Sequence, residues 1–253
     1  MQEVVQSVDR SLCILEALSE YEDGLGLKDI SEKVDLHKST VHRLLGTLVH
    51  KKYVVQDAIT SKYMLTLKLF QLGSAKVDNL DMVKVSNKYL TKLMEETNEV
   101  VHLGVIEDLY IVYLSKVEPR KSIKMYTRIG MRKPLYCTAM GKSILAEMDE
   151  DYIDEIWKKS DIQVLTNKTI VKLDEFKEDL KKVKLRGYSM DDEEVERGIR
   201  CIGAKIRNHK GEICGSISVS GSTITLTKNK IESFGKLLVK CTEQISEELG
   251  YKK

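Results

Sequence analysis

Between His37 and Gln56 the chain carries Lys38, Arg43, Lys51 and Lys52, three histidines and no acidic residue. The chain as a whole is nearly balanced, with 41 Lys plus Arg against 39 Asp plus Glu and a formal net charge of +2. The basic run is therefore a local feature, not part of a global excess. Such a run neutralises phosphates, and hydroxyl and guanidinium groups near a helix start reach phosphates or base edges in a major groove. Val41, Leu44, Leu45 and Leu48 form one helical stripe, which leaves Lys38, Ser39, Thr40, His42, Arg43 and Thr47 on the other faces. Ser39 and Thr40 also suit a helix start, where capping worth ~1 kcal/mol would explain them without DNA. Lys62, near a polar turn at Asp57 to Ser61, is a further basic point, laid along a phosphate backbone or simply solvated.

Other chemistries fare worse. Gly141-Lys142-Ser143 resembles the end of a phosphate-binding loop, but the glycine required five residues earlier is Tyr136. Cys137 or Cys201 with His102 or His209 has no triad-like spacing, and a lone cysteine beside β-branched residues reads as a small buried hydrophobe. The run Asp191 to Glu194 reads as a solvated turn for three of its four residues. His37, His42 and His50 lack the i, i+4 spacing of a zinc site. No catalytic residue, metal or cofactor is expected.

These side chains need elements to position them. Val4, Val8, Leu12, Leu15 and Leu18 lie on one stripe of a first helix and are expected to cover a core, any face left over being a candidate dimer contact. Leu27 to Val34 and Lys38 to His50 follow. Counted from Leu27, apolar residues fall at positions four, eight, ten, fifteen and eighteen (Ile30, Val34, Leu36, Val41, Leu44), with small Ser31 at five and Asp35 at nine. Those are the clasp, crossing and turn positions of a helix-turn-helix, and aspartate tolerates the left-handed turn. Strands at Tyr53 to Gln56 and Lys62 to Leu65 supply a hairpin wing.

Lys76 to Leu80 is a polar join, and Met82 to Thr97 reads as a connecting helix. Beyond it, strands are expected at Val100 to Val105, Tyr110 to Val117, Ile123 to Arg128, Ile199 to Arg207 and Ile213 to Ser220. Helices are expected at Ala139 to Glu147, Tyr152 to Lys158, Leu173 to Leu185 and Lys228 to Leu249. The fold class is α+β: a winged helix-turn-helix (1–75), a connecting helix (76–98) and a sensor-like domain with an antiparallel sheet (99–253). At 253 residues two domains are comfortable. Five scattered cysteines without a C-x-x-C pair fit a reducing compartment. No apolar run approaches the ~18–20 residues of a bilayer span, and MQEVVQSVDR has no basic n-region, so a cytoplasmic protein is expected and a membrane partner is not.

VDRSLCILEALSE, LKDISEKVDLHKSTVHRLLGTLVHKKYV and YMLTLKLFQLG strongly resemble the winged-helix end of IclR-type bacterial transcription regulators. IGMRKPLYCTAMGKSILA and GYSMDDEEVERGIRCIGAKIRNHKGEICGSISVSG resemble the two signatures of that family's effector domain, in the right order. The resemblance implies a homodimer or homotetramer that binds double-stranded operator DNA and senses a small organic acid, with repression of a catabolic operon the commoner mode. It also places the effector pocket at Ala139, Met140, Asp191, Cys201, Ser218 and Ser220, with Ile123 and Met125 as an apolar wall. Serines two apart on a strand share a face and both donate to a carboxylate, as do backbone N–H groups at a helix start. Sugar acids such as ketodeoxygluconate, aromatic acids and short oxo-acids all satisfy that pattern. Tyr136 stands where the family often has histidine, and Ser222 where it commonly has proline; both bear on effector identity. The competing reading is a small-molecule-binding protein or enzyme whose N-terminal module only mediates oligomerisation.

Overall fold

The computed structural model describes residues 4–77, 81–120 and 127–252. By contact the chain divides into two compact units, Met1–Asn79 and Leu80–Lys253. No helix among the described residues is long and apolar enough to cross a membrane.

In the first unit, helix α1 (Gln6–Ser19) buries Ile14, Leu15 and Leu18. Val8 and Leu12, expected to cover the core, are instead 57% and 53% exposed, and Val4 is 65% exposed. The core begins only at the second half of the helix, so its first two turns extend past anything they could pack on in this unit. Helices α2 (Leu27–Lys33) and α3 (Lys38–His50) clasp through Ile30, Val41, Leu44, Leu45 and Leu48. Asp35 takes φ 49°, as its place in the turn requires. Ser31 closes that turn twice: its carbonyl accepts from the Leu36 N–H at 3.1 Å and its hydroxyl donates to the Leu36 carbonyl at 2.5 Å.

Strands β1 (Val54–Gln56) and β2 (Tyr63–Leu65) pair antiparallel, Val54 opposite Leu65. Asp57 shapes the connection by accepting from the backbone N–H groups of Ile59 and Thr60 at 3.1 and 2.7 Å. A further helix, α4 (Lys68–Val77), follows where no helix is legible in the sequence.

The second unit opens with α5 (Asp81–Thr97) and is built on a six-stranded sheet. Its strands are β3 (Val100–Glu107), β4 (Tyr110–Val117), β5 (Arg132–Pro134), β6 (Ser189–Asp192), β7 (Ile199–Arg207) and β8 (Ile213–Ser222), in the order β5-β4-β3-β8-β7-β6 with every neighbour antiparallel. Short β5 and β6 edge the sheet and carry no apolar pattern of their own. The expected strand at Ile123 to Arg128 lies largely outside the described residues.

Helix α6 (Ala139–Leu145) lies on the face that presents Gly203, while α5 reaches the opposite face at Gly215 through Met82. Helices α7 (Glu150–Lys159) and α8 (Leu173–Arg186) complete the core on the α6 side through Ile153, Ile156, Phe176, Leu180 and Val183. The long α9 (Lys228–Glu248) packs with α5 and on β7. Lys88 and Tyr89 of α5 both bond Glu248 at the end of α9, at 2.5 and 2.6 Å. The fold is α+β, with helices first and an antiparallel sheet domain after them.

Candidate functional site

Two sets of residues carry chemistry, one on each unit. On α3, burying Val41, Leu44, Leu45 and Leu48 turns the opposite face outward, because side chains three and four apart share a face. Lys38, Ser39, His42, Arg43 and Thr47 are exposed and Thr40 is half-buried. The N-cap is His37, and no side chain makes a cap bond there. Ser39 and Thr40 therefore sit within the first turn, not at the cap.

Gly46 lies on the same outward face, and a Cβ there would meet nothing within 4 Å. Packing does not demand glycine at that point; a surface that must come close to the helix backbone would. The Thr47 hydroxyl points back to the Arg43 carbonyl at 3.5 Å. Lys62 is half-buried at the base of the hairpin tip, and the tip itself is Ala58-Ile59-Thr60, with Ile59 93% exposed.

On the second unit the sheet register builds the site. Asp191 faces Cys201 across β6 and β7, and Cys201 faces Ser220 across β7 and β8. One step along, Gly203 faces Ser218, which faces His102 on β3. Alternation puts all of these on one face of the sheet. Gly203 is what lets α6 settle over them, because a Cβ there would lie 2.6 Å from the carbonyl carbon and oxygen of Ala139. Ser189 clamps the same spot by donating to the Ala139 carbonyl.

Thr138 starts α6 as N-cap, its hydroxyl oxygen accepting from the Gly141 N–H at 3.2 Å. The N–H groups of Ala139 and Met140, the first two of the helix, have no helical acceptor.

The result is a cavity of about 250 Å³ lined by Ala139, Met140, Asp191, Cys201, Ser218 and Ser220. All six described residues expected to form an effector pocket come together there, while Met125 lies outside the described residues. Sequence reading missed other walls of the same cavity, among them His102, Tyr113, Thr127, Lys133 and Glu196. His102 and Tyr113 were findable from alternation along β3 and β4, but nothing in the sequence says which face of those strands is hollow.

The electrostatics are those of a binding site. Burial, reinforced by the nearby Glu194 charge, pushes the Asp191 carboxyl up to about 7. Burial likewise raises the Cys201 thiol well above its ordinary range and Cys137 up to about 12, which keeps both protonated and unreactive. Ser218 and Ser220 hydroxyls lie 3.4 Å apart. Among the described residues no group of three His, Cys, Asp or Glu is placed to hold a metal ion.

The acidic run that begins at Asp191 is not the solvated turn expected. Asp192 receives the Arg200 guanidinium at 2.6 Å, Glu193 binds Lys168, and buried Glu194 takes the Lys142 ammonium at 2.5 Å. Lys142 is thus a buried structural cation shared with Asp179 at 2.8 Å, one turn into α6. Burial works against that charge, but the two carboxylates outweigh it and hold the lysine pKa above its ordinary value.

A helix-turn-helix with an outward basic face and a sheet domain with a cavity that gathers Asp191, Ser218 and Ser220 among apolar walls define a ligand-sensing transcription regulator. Two family profiles match accordingly: the IclR helix-turn-helix domain over residues 7–58, and the bacterial transcriptional regulator IclR C-terminal domain over residues 74–247. The chain belongs to the IclR family. It is similar to the HTH-type transcriptional regulator KdgR of Escherichia coli, at 35% identity over 247 residues, covering 98% of this chain and 94% of that one. It is also similar to the DNA-binding transcriptional repressor YiaJ of E. coli, at 33% identity over 249 residues, covering 97% and 88%. The crystal structure of IclR from Thermotoga maritima superposes with a TM-score of 0.83 at 32% identity, covering 97% of this chain and 99% of that one. These relatives are transcription regulators, not enzymes, and the chain is a DNA-binding transcription regulator of the same family.

Proposed function

We propose that the protein is a cytoplasmic repressor of a catabolic operon whose operator affinity is set by a small carboxylate or sugar-acid effector. The observation that carries the effector half is the convergence of Ser218, Ser220, Cys201, Asp191 and the start of α6 on one cavity. Two hydroxyls and two helix-start amides without a helical acceptor supply donors for a carboxylate without a full buried countercharge. Residues 1–75 bind DNA in this reading, 76–98 connect, and 99–253 sense. On the DNA side, Lys38, Ser39, Thr40, His42, Arg43 and Thr47 meet the major groove and Lys62 of the wing meets a backbone. Repression is supported by the name of the relative YiaJ.

Helix-turn-helix proteins pair across half-sites, so the working species is a homodimer or a homotetramer. The exposed stripe of Val5, Val8 and Leu12 on the first helix is the surface left for a second copy. Control follows from differential affinity: an acid that binds one arrangement of the assembly better shifts the population away from the DNA-competent one.

The test is selection of genomic fragments by the purified protein, followed by release with panels of sugar acids, aromatic acids and oxo-acids. Retention of specific fragments and their release by one class supports the reading. Retention no better than that of random DNA, together with turnover of an acid, would favour a small-molecule enzyme whose N-terminal unit serves only oligomerisation.

A further inference from the structure

His102 and Tyr113 stand side by side on β3 and β4, ring centroids 4.9 Å apart and planes tilted by 39°, and both line the cavity. The Nε2 of His102 lies 2.8 Å from the Thr127 hydroxyl, but its Nδ1 is buried with no hydrogen-bond partner among the described residues. The Tyr113 hydroxyl likewise has no hydrogen bond among the described residues. Of the two, His102 Nδ1 is the buried one, and a buried polar atom without a partner costs stability. Both residues line the cavity, so a group carried into it is the partner within reach of the pair.

We propose that Tyr113 and His102 are specificity-determining residues that form a hydrogen-bonding edge for a hydroxyl of the effector, beside the serines that take its carboxylate. The inference rests on the reading of the cavity as the effector pocket. Burial, with the Lys116 charge close by, pushes the imidazole down to about 3, so the ring is neutral at any working pH. A neutral imidazole has one donor and one acceptor, and whichever the Thr127 bond uses, Nδ1 is left with the other. A hydroxyl meets either case because it both donates and accepts. A methyl group meets neither, and a second carboxylate, which only accepts, meets only the donor case. His102 sits directly across from Ser218 in the register, so the hydroxyl and the carboxylate belong to one small molecule.

The test uses isothermal titration of the full chain with pentanoate and its 3-, 4- and 5-hydroxy forms. Wild type should bind at least one hydroxy form about tenfold more tightly than pentanoate, the effect of one net hydrogen bond. Tyr113→Phe, which removes only the hydroxyl, should lose that preference, binding the hydroxy forms no more tightly than pentanoate; His102→Phe should do the same. Thermal unfolding confirms that each variant is folded, and Tyr113→Phe decides the matter if His102→Phe is not. A preference that survives in Tyr113→Phe overturns the proposal. Equal binding of all four acids, abolished by Ser218→Ala with Ser220→Ala, also overturns it while the cavity reading stands. No binding of any of the four by wild type overturns both.

Discussion

The backbone N–H of Glu194 donates to Oδ1 of Asp191 at 2.7 Å, and the carboxylate of that same Glu194 receives the buried Lys142 ammonium. A residue of the cavity wall is thereby tied to a structural ion triad beneath α6. The same helix offers its first amides to the cavity and its Lys142 to the triad, so pocket and core share one rigid piece.

Lys142→Met should be severely destabilising, by about 3–5 kcal/mol, because it leaves two carboxylates facing one another in a buried site. Differential scanning calorimetry reads it as a fall in Tm. Combining it with Asp179→Asn and Glu194→Gln should restore much of the loss, since the uncompensated charge is then gone.

Asp191 gives the pH dependence. Its carboxyl is raised from an ordinary value of about 3.9 to about 7 in the folded protein. The folded state therefore holds a proton that the unfolded chain releases, so this contribution to stability is complete below about pH 4 and is lost as pH rises through about 7. An acid bound beside it meets a neutral Asp191 below that point and a negative one above. Effector affinity should fall as pH is raised from 6 to 8, and Asp191→Asn should flatten the profile in calorimetric titrations. A wild-type profile that is flat or rises over this range would count against the assignment; Lys133 and Glu196 of the same cavity are the charges to control for.

Gly203→Ala tests how α6 is seated. The added Cβ falls 2.6 Å from the Ala139 backbone, which is not free to swing aside as a side chain would be. Overpacking of this kind costs about 1–3 kcal/mol. Effector binding should suffer as well, because the Ala139 and Met140 amides are moved off the serines, while operator binding without effector should persist.

The outward stripe of α1 predicts self-association. Val8→Asp with Leu12→Asp leaves the buried Ile14, Leu15 and Leu18 untouched, so the unit should remain folded. Sedimentation should show a smaller species than wild type, with weaker operator binding through loss of the second half-site.

The helix-turn-helix was legible because each of its constraints is local: apolar spacing, a small residue at Ser31, a turn residue at Asp35. Strands β7 and β8 were legible as apolar runs joined by the polar turn Asn208 to Gly211. What escaped has a common cause. Strand β6, Ser-Met-Asp-Asp, has no strand propensity and exists because β7 offers it an edge. Helix α4 contains Gly73 and follows the wing directly, so its period was hidden. Glu194 read as part of a solvated turn because its partner, Lys142, is 52 residues away in the sequence. Val8 and Leu12 fitted a core stripe perfectly well, but periodicity says which side chains share a face, not how far along the helix the core extends. For the pocket, the resemblance supplied six described positions and geometry alone supplied His102 and Tyr113.

The measurement that tests the central claim most directly is a gel-shift titration against the DNA upstream of the protein's own gene. It uses competitor DNA and two salt concentrations, with wild type, Arg43→Ala and the Ser218→Ala, Ser220→Ala double variant run side by side. Wild type should bind tightly, resist competitor and weaken steeply with salt. Arg43→Ala should lose about 1–3 kcal/mol of operator affinity yet keep effector binding by calorimetry, and the double serine variant should bind operator but no longer respond to acid. Operator binding by Arg43→Ala as tight as wild type, or an acid response intact in the serine variant, would contradict the account.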